Sequence, residues 1–273
     1  MVDLVIPYVD NTDPDWVRTY ANTCRIAKVK FNPDGPRFKT DNRFKEVMDG
    51  IKKNMPFLRK IHLVVSQDSQ VPRWVDRNEI NVVLHEDIIP KKYLPTFNSC
   101  TIEMFIKNIP DLAEKFIYTN DDIFAVNPMT EDDFFDSDGN CRMFFHKIAY
   151  AKHNIYWHQC RNGMKLVKKK WDVTDNQIFK PDHVMHPILK SACEKVWQEY
   201  ETQILKSLTK FRERENFNQY IYMYWQYVNK YKCVEKVLDR SKPYYVYLNS
   251  KASSDKFKQN KRKPYVKMIC VNS

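Results

Sequence analysis

Glycine is nearly missing from this chain, at 4 residues in 273. That scarcity argues against a phosphate cradle built from a Gly-rich loop, where backbone must approach the anion closely. No Cys-x-x-C pair occurs: the seven cysteines stand singly at Cys24, Cys100, Cys141, Cys160, Cys193, Cys233 and Cys270. A zinc ribbon is therefore not expected, and the odd number and scatter fit free thiols in a reducing compartment. No apolar run approaches the ~20 residues that span a bilayer. Met1-Val2-Asp3 carries an acid where a secretory signal would carry lysines. These absences lead to the expectation of a soluble, cytoplasmic chain.

Cations and aromatics are plentiful. Lys and Arg total 45 against 34 Asp and Glu, a net charge of +11, and Tyr and Phe supply 16 each. A basic surface favours anionic partners such as nucleic acid, anionic lipid or phosphorylated substrates, unless it is merely solvated. The length suits one large α/β domain, whose core needs no disulfide or structural metal.

Four strand-length apolar runs each end in polar or acidic residues. Val2 to Val9 leads into Asp10-Asn11-Thr12-Asp13, and Ile61 to Val65 into Ser66-Gln67-Asp68. Ile80 to Leu84 leads into His85-Glu86-Asp87, and Phe116 to Thr119 into Asn120-Asp121-Asp122. Helix-like stretches, Phe44 to Asn54 and Cys100 to Asn108, lie between them. Strands alternating with helices predict an α/β fold with a mostly parallel, Rossmann-like sheet and flanking helices. Ligands bind such sheets beyond the carboxyl ends of the strands, where this chain puts acids four times. We expect one domain over 1–273. Its parts are an α/β portion at 1–135, an insertion or lid at 136–182, and a helical part with a last strand at 183–273. The middle portion carries Lys165, Lys168, Lys169, Lys170 and Trp171. The later part predicts an amphipathic helix from Pro187 to Leu208, an aromatic-striped one from Phe217 to Tyr231, and a strand from Tyr265 to Val271.

Asn120-Asp121-Asp122 is the sharpest chemical feature. Adjacent carboxylates at a strand end can hold a hard divalent cation on a diphosphate; a helix cap or a solvated turn is the plainer alternative. Leu94-Pro95-Thr96-Phe97-Asn98-Ser99 reads as a loop closing onto a helix N-terminus, with Glu103 one turn in. His183 and His186 are spaced for a metal, for one general base, or for a structural pair. An Arg at 212 or 214 could clamp a phosphate through paired N–H donors.

Taken together, these motifs resemble the Stealth proteins, which include bacterial capsular polysaccharide phosphotransferases and the lysosomal-enzyme GlcNAc-1-phosphotransferase. The first Stealth region is matched by the stretch from Asp3 to Asp13. The second is matched by Gln70-Val71-Pro72-Arg73-Trp74, His85-Glu86-Asp87 and the run from Leu94 to Asp122. His183-Val184-Met185-His186-Pro187 with Phe211-Arg212 looks like the third, and Met268-Ile269-Cys270-Val271-Asn272 like the fourth. Two departures stand out. Lys45 and Asp49 occupy positions where the family carries two arginines, and Asn272-Ser273 stands where it has Asn-Asp.

The resemblance implies a nucleotide-sugar-transferase-like sheet and transfer of a sugar-1-phosphate from a UDP-sugar to an acceptor hydroxyl. It implies Mg²⁺ or Mn²⁺ as cofactor, held by Asp121 and Asp122. The implied catalytic residues are Asp3, Asp122, His183 and Arg212, with either Asp3 or His183 as base. Substrate contacts are expected from Asp10, Asp13, Asn98, Ser99, Glu103, His186 and Asn272. The acceptor would be a glycan or lipid-linked glycan, with peripheral contact at the inner membrane surface and no nucleic-acid partner. A metal-dependent glycosyltransferase and a non-catalytic basic binding module remain the rival readings.

Overall fold

The computed structural model describes residues 1–35, 38, 43–143, 145–148, 154–167, 178–235, 241–249 and 254–272. In chain order it runs β1 (Val2–Pro7), α1 (Pro14–Ala27), α2 (Phe44–Asn54), β2 (Leu58–Val65), β3 (Ile80–Leu84), α3 (His85–Ile88), α4 (Ser99–Phe105), β4 (Lys115–Tyr118) and β5 (Ile123–Ala125). It continues with β6 (Cys141–Met143), β7 (Phe145–Ile148), α5 (Ile155–Val167), β8 (Ile178–Pro181), β9 (His186–Leu189), α6 (Lys190–Ser207) and α7 (Tyr220–Val228). β10 (Cys233–Glu235), β11 (Tyr245–Asn249), α8 (Ser254–Lys261) and β12 (Met268–Asn272) close it.

The four apolar runs form the parallel part of one five-stranded sheet, ordered β3-β2-β1-β4-β9, with β9 antiparallel at the edge. β1 lies at the centre, and Val2, Leu4, Val5 and Ile6 are wholly buried. A strand covered on both faces needs such a continuous apolar run. The fold is thus the expected α/β arrangement, with a mostly parallel central sheet and flanking helices. A second sheet, β11-β12-β5, pairs β12 antiparallel to β5. Helix α2 seats that strand closely. A Cβ on Gly50 would lie 2.7 Å from the Ala125 carbonyl, which Asn54 Nδ2 also approaches at 2.8 Å. Only glycine permits that approach.

One expectation is corrected. The helix predicted from Pro187 begins at Lys190, because His186–Leu189 pairs with β4. Pro187 stands opposite Ile117 on an edge strand, where its missing N–H costs no ladder bond. The segment 136–182, expected as an insertion or lid, contributes to the core. Its helix α5 buries Trp157, Cys160, Met164 and Val167, and at Gly163 it approaches Ile221 of α7 to van der Waals distance. Lys168, Lys169, Lys170 and Trp171 lie outside the described residues. The aromatic stripe of α7 is core: Tyr220, Tyr222 and Tyr224 are buried, so they offer no stacking platform to a nucleic acid.

Helix α1 stands apart from the main core. Trp16, Tyr20 and Cys24 pack instead with Phe97 and Phe211, side chains on the loops that flank α4 and precede Arg212.

Candidate active site

β4 ends at Tyr118, Thr119 donates its N–H to the Val5 carbonyl, and the chain turns through Asn120-Asp121-Asp122 into β5. Three distant segments meet at this turn. β9 lies beside β4, so the residues leading into it bring His183 over the carboxyl edge. β12 pairs with β5, placing Cys270 opposite Ile123, and Val271 donates its N–H to the Asp122 carbonyl at 2.9 Å. His183 Nε2 stands 3.4 Å from Asp122 Oδ2 and 3.4 Å from Asn120 Nδ2, and Cys270 Sγ lies 3.7 Å from the same carboxylate oxygen.

Asp122 Oδ1 is buried with no hydrogen-bond partner. An orphaned carboxylate oxygen carries a desolvation cost that a cation would remove. The ligand atoms of Asp122, His183 and Cys270 lie within 4.8 Å of one another, so a metal ion fits this group. Carboxylate, imidazole and thiol together suit a borderline divalent cation better than Mg²⁺, which demands oxygen. Asp121 is not a member of the group. Its charge is felt at Tyr8, whose hydroxyl pKa is raised by burial and further by Asp10 and Asp121. Asp10 holds one carboxylate oxygen on the Thr12 N–H and hydroxyl.

A second polar cluster lies under the end of β4. Arg212 donates to Ser99 Oγ at the start of α4. Glu103, one turn on, is buried and accepts from Tyr118 Oη at 3.2 Å and the Gln219 N–H at 2.9 Å. Burial pushes the Glu103 carboxyl up, against the pull of Arg212. Burial disfavours the charge on Arg212, yet Cys100, Glu103, Tyr118 and Tyr156 around it hold its pKa above the usual value. The guanidinium therefore stays charged, half-buried and braced, as a phosphate clamp requires.

Four expected site residues are held by partners within the fold. Asp3 opens β1, at the amino end of the parallel strands, with the acid turn at the other end. It is fully buried and accepts from Arg59 Nε and Nη2 at 2.8 and 2.7 Å, from His62 Nε2 at 3.0 Å and from the Ala113 N–H at 2.8 Å. Burial would raise its pKa, but these partners hold it far below the usual carboxylate range. Here it forms a buried ion pair with Arg59. Asp13 caps α1 through the Asp15 N–H and ties down Ser69 and Gln70 with its other oxygen. His186 is buried on β9 against Tyr220, donates Nε2–H to the Asp182 carbonyl, and stays neutral because burial lowers its pKa to about 3.

Asn98 is wholly buried. Its Oδ1 caps α4 at the Cys100 N–H, while Nδ2 reaches Asn216 Oδ1 at 3.0 Å and the Thr209 and Phe211 carbonyls at 3.2 Å. It ties the start of α4 to the loop bearing Arg212. Asn272 closes β12 opposite Asn249. Lys45 and Asp49 pair with each other at 2.7 Å on the exposed face of α2, cancelling two charges where the family pattern has two cations.

Cys270, Tyr118 and Tyr156 were missed from sequence. Cys270 had a usable signal, since it sits inside the run matched to the fourth Stealth region. Tyr118 had the same kind of signal, inside the run from Leu94 to Asp122, and Tyr156 had none, because long-range packing alone brings it to Arg212.

The profile of Stealth protein CR2, conserved region 2, matches residues 37–143. The chain is 32% identical over 238 residues to capsular polysaccharide phosphotransferase cps1A of Actinobacillus pleuropneumoniae, covering 80% of this chain and 62% of that protein. It thus spans less than two thirds of that relative's length. Against a capsular polysaccharide phosphotransferase of Neisseria meningitidis serogroup B the identity is 28%, over 94% of this chain and 72% of the relative. Against receptor polysaccharide phosphotransferase WefC of Streptococcus oralis it is 27%, over 82% and 77%. Among solved structures, apo mouse xyloside xylosyltransferase 1 aligns with a TM-score of 0.42 at 10% identity over 99% of this chain and 97% of that one, too loose a likeness to build on. The match to the second region lies across the loop before α4 and the acid turn, so the chain carries conserved region 2 of the Stealth proteins and is similar over most of its length to capsular polysaccharide phosphotransferases.

Proposed function

We propose that this chain is a phosphotransferase of polysaccharide synthesis that moves a hexose-1-phosphate, such as GlcNAc-1-phosphate, from a UDP-sugar to a hydroxyl of a glycan or lipid-linked glycan. The observation that carries the reading is the meeting of Asp122, His183 and Cys270 from three segments, at the strand edge where α/β sheets bind ligands. The relatives' names support the reaction class. Phosphoryl transfer needs positioning and charge stabilisation more than covalent chemistry, and the residues at this edge fit those tasks.

Asp122, with His183 and Cys270 beside it, would hold a divalent cation; such an ion offsets charge on the donor diphosphate. His183 is our choice for the group that accepts the acceptor hydroxyl proton, at the ring nitrogen left free once Nε2 is engaged beside Asp122 Oδ2 and Asn120. Arg212, braced by Ser99 and Glu103, would face the transferred phosphoryl oxygens. The Lys45–Asp49 pair leaves the donor phosphates without the two arginines of the family pattern, which points to a different donor grip.

The test is product analysis after incubation with UDP-sugars and Mg²⁺ or Mn²⁺. Release of the nucleoside monophosphate supports phosphotransfer. Release of the diphosphate would assign the chain to the glycosyltransferases instead.

A further inference from the structure

Six large hydrophobic side chains are exposed among the described residues, and three of them fall in one short stretch: Ile26 at 71%, Val29 at 44% and Phe31 at 42%. Scattered singly, such residues need no explanation; grouped, they mark an interaction surface. Every residue from 25 to 32 is exposed. Helix α1 ends here, closed by Lys28 in the left-handed conformation at φ 54°. Arg25, Lys28 and Lys30 alternate with the apolar side chains, and no acid occurs from Trp16 to Pro33. Asp15, the acid before that span, already pairs with Arg18 at 2.7 Å.

Beside this tip lies a trough of about 640 Å³, where Arg18, Asn22 and Ile26 of α1 face Pro95 and Lys210. The trough holds neither Asp122 nor His183. It does adjoin the Arg212 loop, since Lys210 stands two residues before Arg212 and binds the Leu94 and Pro95 carbonyls.

We propose that the end of α1 docks this protein onto an anionic lipid surface. Ile26, Val29 and Phe31 enter the boundary between headgroups and acyl chains, and Arg25, Lys28 and Lys30 meet the headgroup phosphates. Charge selects this occupant. An uncharged apolar partner would leave three desolvated cations without counter-ions, whereas an anionic bilayer satisfies both halves of the pattern. The inference deepens the reading of a lipid-linked acceptor and rests on it for its purpose. Docking would hold the Arg212 loop near a substrate confined to the membrane.

The test is co-sedimentation with vesicles of phosphatidylcholine containing phosphatidylglycerol, against phosphatidylcholine alone, without donor, metal or acceptor. Failure here is thus separate from failure to release a nucleotide. The chain should pellet with the anionic vesicles, and high salt should reduce the bound fraction. Arg25→Gln/Lys28→Gln/Lys30→Gln should weaken partitioning roughly 100-fold, about fivefold per cation. Ile26→Ser/Val29→Ser/Phe31→Ser should weaken it about tenfold or more. All six positions are exposed, so circular dichroism should match the parent. Lys53→Gln/Lys258→Gln/Arg262→Gln removes equal charge from exposed positions elsewhere and should leave binding within about threefold. No pelleting with anionic vesicles, equal pelleting with neutral ones, or equal losses in the two charge variants would overturn the proposal.

Discussion

Replacing Asn98 by alanine separates two roles that the sequence confuses: contact with substrate, and support of the loop that carries Arg212. The side chain is wholly buried. Its oxygen caps α4 at the Cys100 N–H, and its amide reaches Asn216, Thr209 and Phe211. Losing the cap costs about 1 kcal/mol, and losing two amide hydrogen bonds between buried groups about 1 kcal/mol each. The total of roughly 3 kcal/mol lowers Tm by about 5 °C for a chain of this size. A loosened 209–216 loop misplaces Arg212, and displacement of a positioning group by about 1 Å costs on the order of 10² in kcat. Asn98→Ser keeps the cap oxygen and should recover about 1 kcal/mol without restoring kcat. Calorimetry and steady-state nucleotide release measure both effects. A variant that keeps its Tm and its kcat while KM rises would refute the support role and return Asn98 to the substrate.

Three further outcomes are expected. His183→Ala should slow nucleotide release by about 10²–10⁴-fold with Tm unchanged; a loss under tenfold removes it as base. Asp3→Asn should destabilise the fold by about 3 kcal/mol, because Arg59 and buried His62 lose their counter-ion, and turnover per folded molecule should be unchanged. Loss of activity at constant Tm would put Asp3 back in the chemistry. Acid should weaken the fold in two windows. His186 and His85 have pKa values lowered by burial to about 3 and about 4, so below about pH 6.5 the unfolded chain binds protons that the native state refuses, and stability falls with pH from there. The depressed Asp3 contributes above about pH 3.9 and is lost only below it. Urea midpoints at pH 7.5, 6 and 5 should decline steadily, and His186→Gln should flatten the slope; a flat parental profile counts against the buried neutral histidines.

Much of this was legible because the strands announce themselves. Buried parallel strands require continuous apolar runs, and Ile80 to Leu84 and Phe44 to Asn54 matched their elements to the residue. The acid turn was legible for the same reason, since it follows a strand. Strand direction also places Asp3, the second residue of β1, at the amino end of the parallel sheet, away from the acid turn. Pro187 misled because first-turn helices and edge strands both accept proline, and only the pairing with β4 decides between them. Asn98 was noticed for its place beside a helix start, but its partners lie more than 100 residues away and leave no local pattern. Cys270 looked like one more buried thiol until β12 carried it to Asp122.

That last strand has a consequence in time. The Asp122 carbonyl is fixed by the Val271 N–H, and Cys270 arrives on the same three residues of backbone. A nascent chain can assemble β1 to β4 and form the acid turn while the ribosome is still translating the second half. The group of Asp122, His183 and Cys270 is complete only once β12 has emerged and paired with β5. The order of synthesis thus finishes this edge last, and a cut in the segment before β12 should part Cys270 from Asp122 without touching a residue of the turn.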